Sequence, residues 1–137
     1  NILGKDYKTK SIISHIDDEG HDQFTKITFL YDHAVASATV AKGVKSEGEL
    51  IISGTKGYIY VPAPWWKTDY FEIRYEDTSQ NKRYFYQLDG EGIRYELVAF
   101  ARAIESGRNL AYVDSNVSNK ICEVIGDFYS KIDCVSI

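Results

Sequence analysis

Two short segments gather side chains that could do chemistry. The first is Ser14-His15-Ile16-Asp17-Asp18-Glu19-Gly20-His21-Asp22. Two imidazoles and several carboxylates in one run could hold a hard or borderline divalent ion. Their spacing matches no specific metal site, and an acidic connection between two strands reads as a solvated turn. The second segment is Pro62-Ala63-Pro64-Trp65-Trp66-Lys67. Neighbouring side chains on an extended backbone diverge, so both indoles cannot enter one core. An exposed indole can stack on the apolar face of a sugar, with Lys67 as a charged donor. Alternatively, one Trp packs under a sheet and the other caps its edge. The residues alone leave both readings open.

Other chemistry is missing. Gly90-Glu91-Gly92 precedes a helical pattern but has no third glycine at dinucleotide-binding spacing, so it reads as a strand-to-helix turn. No phosphate loop, His-Glu-x-x-His or Gly-x-Ser-x-Gly occurs. Cys122 and Cys134 are not spaced as a close metal-ligand pair, and read as reduced thiols.

The elements that position these segments come in two blocks. Strands are expected at 8–16, 23–31, 34–41, 49–53, 58–61, 70–75 and 83–88. In the second, Ile27, Phe29 and Tyr31 share one parity, against Lys26 and Thr28 on the other. Gly54-Thr55-Lys56-Gly57 joins two short strands as a hairpin, with glycine available for a positive φ. Pro62 and Pro64 then end the ladder. Ile93, Leu97, Phe100, Ala101 and Ile104 recur at helical spacing up to Gly107. Val117, Ile121, Val124, Ile125, Phe128 and Ile132 form a second stripe, behind a cap at Asp114 or Ser115. Strands first and helices last predict an α+β fold: an open, mainly antiparallel sheet with helices on one face. The other face is then available for dimerisation, and Phe24, Leu30, Phe85 and Tyr86 suggest that it is not uniformly polar.

The chain has 137 residues, enough for one domain with its own core, and 14% are aromatic, a level that suits half-buried sheets. The net charge of −4, with basic residues scattered, argues against nucleic acid. No apolar run approaches the ~20 residues of a membrane span. Asn1-Ile2-Leu3-Gly4-Lys5 shows no signal-peptide pattern, so a cytoplasmic protein is expected, with Asn1 at a boundary or processed end.

Gly48 to Pro62, then Pro64-Trp65-Trp66-Lys67, then Gly90 to Glu96, resemble the C-terminal domain of the Gfo/Idh/MocA oxidoreductase family. The resemblance runs from about Asp22 to the end of the second helix. It implies a parent with an N-terminal Rossmann domain that binds NAD or NADP. It also implies hydride transfer to or from a sugar or a related alcohol or carbonyl compound. The C-terminal domain of such an enzyme supplies the substrate-side wall and subunit contacts. The family's Glu-Lys-Pro motif, and the Asp and His that follow it, have no counterpart here. No catalytic or cofactor-binding residue is therefore carried over, and none is expected in this chain. Trp65, Trp66, Lys67 and Tyr86 are carried over as substrate-side positions. The implied partners are the Rossmann domain, a second copy through the helix-free face, and a small sugar-type molecule. The rival reading is a non-catalytic module that uses its exposed aromatic segment to contact carbohydrate or protein.

Overall fold

The computed structural model describes residues 2–90, 92–108 and 113–137. Glu91, inside the expected Gly90-to-Gly92 turn, lies outside the described residues. The elements are β1 (Thr9–Ile16), β2 (Asp22–Leu30), β3 (Val35–Ala41), β4 (Leu50–Ser53), β5 (Gly57–Val61), β6 (Tyr70–Tyr75), β7 (Lys82–Phe85), α1 (Ile93–Ser106), α2 (Ser115–Tyr129) and β8 (Cys134–Ser136). The fold is α+β with mainly antiparallel strands. The strands form two sheets, ordered β3-β2-β1-β8 and β4-β5-β6-β7. They belong to two compact units, Asn1–Lys45 with Ala111–Ile137, and Ser46–Leu110.

In the first unit, Ile12 lies opposite Ile27, and Ile27 opposite Ala38. Directly opposed residues share a face. That face therefore carries Lys10, Ile12, Ser14, Ile27 and Phe29, and α2 covers part of it. Ile12 is 1% exposed and is the buried apolar residue of the described chain. Ser14, fully buried beside it, keeps its hydroxyl 2.7 Å from that of Thr25, so it is not left unpaired. On α2, Val117, Ile121, Val124 and Ile125 share a cavity of about 300 Å³ with Tyr7, Ile27, Phe29 and Tyr31. The stripe read from the sequence thus meets the sheet, but loosely. The Asp114 carboxylate caps α2 by accepting the Asn116 N–H at 2.8 Å. That bond is the main reason its carboxyl lies below the usual range.

The tail beyond α2 becomes a strand. Lys131 (φ 56) and Asp133 (φ 53) turn through the left-handed region. They deliver β8 alongside β1 in parallel, with Cys134 beside Ile12. Lys10 fastens this return. Its side chain is 6% exposed, and its ammonium contacts Asp127 of α2 at 2.7 Å and Asp133 at 3.0 Å. The Asp127 hydrogen bond does most to raise its pKa above that of an ordinary lysine. The face away from α2 exposes Ile13, Leu30, Val35 and Val135 among Ser11, Thr28, Ser37 and Thr39.

In the second unit, β5 and β6 pair Ile59 with Ile73 and Tyr60 with Glu72. The β4–β5 hairpin closes with the Gly54 N–H on the Gly57 carbonyl at 2.9 Å. Neither glycine has a positive φ. Gly57 is needed for space instead, because a Cβ there would strike the Arg74 carbonyl oxygen across the ladder. Gly107, past α1, does adopt a left-handed φ of 63. The stripe of α1 stays open to solvent at Ile93, Leu97, Phe100 and Ile104. Among the described residues, no helix is long and apolar enough to cross a membrane.

Lys10 offers a direct check on this architecture. Lys10→Ala strands Asp127 without its cation and releases the β8 return. It should cost about 1.5–3 kcal/mol, the usual loss of hydrogen bonds to a charged group. Urea unfolding of the two proteins measures it, and a change below ~1 kcal/mol would mean that the ammonium is solvated like a surface pair.

Candidate functional site

The antiparallel pairing of β6 with β7 sets Tyr70 opposite Phe85 and Glu72 opposite Arg83. The chain entering β6 and the chain leaving β7 must therefore run side by side beyond that end of the sheet. There the Tyr86 N–H donates to the Asp69 carbonyl at 2.7 Å. The two segments enclose a groove of about 270 Å³ lined by Trp66, Lys67, Thr68, Asp69, Gln87 and Leu88, with Gly90 at its rim. The lining is largely polar, with one indole as its flat wall.

The approach to the groove is shaped locally. β5 stops at Val61, before Pro62, and the Ala63–Pro64 peptide is cis. The Lys67 N–H then closes a turn onto the Pro64 carbonyl at 2.9 Å, and the Trp65 N–H reaches the Gly48 carbonyl at 3.0 Å. The indoles meet edge to face, with ring centres 5.9 Å apart and planes at 87°. This is a favoured aromatic geometry. Trp65 remains 50% exposed and Trp66 57% exposed. Both rings therefore lie at the surface, and the packed-under-the-sheet reading does not describe either of them.

Of the four substrate-side residues named from the sequence, Trp66 and Lys67 line the groove. Trp65 buttresses Trp66 from outside. Tyr86 contributes its backbone, while its side chain is 65% exposed and is not part of the lining. Thr68, Asp69 and Gln87 were not singled out. The signal for them was the β6–β7 register, which brings the 66–69 and 86–90 segments together although neither has a motif. Thr68 also braces the entry to β6, its hydroxyl donating to the Tyr70 carbonyl at 3.1 Å.

A second cluster lies at mid-sheet. Glu72 is 9% exposed. Its Oε2 accepts Arg74 Nε and Nη2, both at 2.6 Å. Its Oε1 accepts Arg83 Nε at 2.7 Å and also Nη2 of the same residue. The Arg74 bond, then the Arg83 bond, holds its carboxyl below the usual range. Each guanidinium lies on a ring, Arg74 4.3 Å from the centre of Tyr60 and Arg83 4.8 Å from that of Tyr70. The alternation of Glu72 and Arg74 across from Arg83 could have revealed this from the sequence.

The His-and-carboxylate run forms the β1–β2 turn. The Asp17 carboxylate accepts the N–H groups of His21 at 2.8 Å and Glu19 at 3.0 Å, and these bonds keep its carboxyl low. Among the described residues, no three His, Cys, Asp or Glu side chains converge on a common point where a metal ion could sit. Cys122 and Cys134 are free thiols. No model of a known protein family matches the chain, and no curated protein matches it.

The exposure of the indoles has a measurable consequence. Iodide should quench the fluorescence of both Trp residues, and neither Trp65→Ala nor Trp66→Ala should reach the ~3–5 kcal/mol loss of a buried Trp. A loss of that size at either position would put its ring in the core.

Proposed function

We propose that this chain is the substrate-side half of an NAD(P)-dependent oxidoreductase acting on a sugar or a related alcohol or carbonyl compound. The observation that carries this reading is the half-exposed Trp66 indole walling a polar groove beside Lys67, Thr68, Asp69 and Gln87. A flat ring takes the C–H face of a sugar, while hydroxyl, carboxylate and amide groups exchange hydrogen bonds with its hydroxyls. The resemblance of the hairpin and Trp segment to the Gfo/Idh/MocA C-terminal domain supplies the reaction class. The nicotinamide cofactor and the hydride-transfer machinery belong, on this reading, to a Rossmann domain of the parent protein. This chain's contribution is to grip and orient the substrate.

Kinetics on the full-length protein test the reading. Trp66→Ala should lose about 1–3 kcal/mol of substrate binding, as an aromatic anchor does. The loss should appear in KM while the melting temperature changes little. A variant that loses stability with unchanged kinetics would overturn the assignment.

The same proposal includes a homodimer. In the first unit, the sheet face away from α2 offers Ile13, Leu30, Val35 and Val135 among small hydroxyl residues, with Lys26 as its charged residue in the β2 ladder. A two-fold pairing buries such a face against itself. Light scattering at micromolar concentration should give a dimer, and Leu30→Asp should shift it to monomer. A wild-type chain that is monomeric throughout would remove this part of the proposal.

A further inference from the structure

The opposite end of the second unit's sheet holds a groove that the proposed sugar site does not use. It measures about 340 Å³ and is lined by Ser53, Thr55, Lys56, Tyr58, Arg74 and Glu76, together with Gly54, Gly57 and Tyr75. The β4–β5 hairpin tip forms one wall and the end of β6 the other. Gly57 lets these walls close up, since any Cβ would meet the Arg74 carbonyl.

Arg74 lines this groove, with its guanidinium already fixed on the mid-sheet side. Glu72 holds its Nε and Nη2, Tyr60 lies beneath its plane, and Nη1 donates to the Tyr58 hydroxyl at 3.4 Å. A planar donor held this way gives up little further freedom when it meets an anion. Arg83 takes the other oxygen of Glu72, so Arg74 shares that carboxylate and keeps part of its positive charge. In the lining itself, Lys56 and Arg74 stand against one carboxylate, Glu76. Among the described residues, Lys56 at the hairpin tip pairs with no carboxylate. Ser53 and Thr55 add hydroxyl groups, Tyr58 adds ring surface, and Glu76 adds an acceptor.

We propose that this groove binds the oxyanion of a small hydroxylated molecule, a phosphate or a carboxylate. Arg74 and Lys56 take the anionic group, and Glu76 accepts from a hydroxyl or repels a second negative charge. The site is separate from the Trp66 groove, so its success or failure leaves the sugar-wall reading untouched.

NMR titration of the full chain with inorganic phosphate, glucose 6-phosphate and gluconate tests it, with glucose as the neutral control. At least one anion should bind saturably, moving the amides of residues 53–58 and the Arg74 side-chain signals. Binding of the two phosphates alone assigns a phosphate site, and binding of gluconate alone a carboxylate site. Lys56→Ala, at an exposed turn, should weaken that binding roughly tenfold, the effect of one charge-assisted contact. Arg74→Lys should weaken it by removing the planar fork, and Glu76→Gln should tighten the binding of inorganic phosphate by removing a like charge. The proposal is wrong if none of the anions saturates, if glucose binds as well as they do, or if Lys56→Ala and Arg74→Lys leave binding unchanged.

Discussion

A carboxylate in the middle of a four-stranded sheet has to be answered by positive charge, and at Glu72 it is answered from both directions. Arg74 comes from the same strand and Arg83 from the neighbouring one, each committing two N–H groups to one carboxylate oxygen. A one-residue slip of β7 would turn Arg83 to the other face and leave Glu72 half-compensated. The cluster therefore fixes register as well as charge. The Trp66 groove depends on that register, which sets 66–69 beside 86–90.

Tyrosine explains why such a cluster can stand on an open face. The rings of Tyr58, Tyr60 and Tyr70 support the guanidinium groups from below, where a closed core would do so in a buried sheet. The other unit solves a similar problem with Lys10. One ammonium buried between Asp127 and Asp133 ties the first strand to the second helix and to the last strand. In each unit, a paired charge locates elements that apolar burial alone holds loosely.

Much of this was legible in the residues. Strand positions, both helices, the Asp114 cap and the Gly107 stop follow from period and punctuation, because these are local effects. That at least one indole of the Trp pair is exposed followed from the geometry of adjacent side chains; that both are was not legible. The division of the strands between two sheets was not legible, since pairing partners are chosen by contacts distant in sequence. The β8 return was hidden too. Cys134-Val135-Ser136 is too short for a pattern, and its turn uses left-handed Lys131 and Asp133 in place of glycine. At Gly57 the residue type was informative but the reason differed, being close approach of β6 and not backbone handedness. The groove members Thr68, Asp69 and Gln87 became visible only once the β6–β7 register joined their segments.

On the proposed reading, the Trp66 wall touches a sugar-type ligand. With only two Trp residues in the chain, the two indole N–H signals of a ¹⁵N-labelled sample report on it directly. Titration with a panel of neutral monosaccharides and polyols should move the Trp66 signal saturably for at least one of them, with a smaller shift at Trp65 through its edge contact. Saturable binding that shifts neither indole signal would contradict the account, as would a panel in which no compound binds.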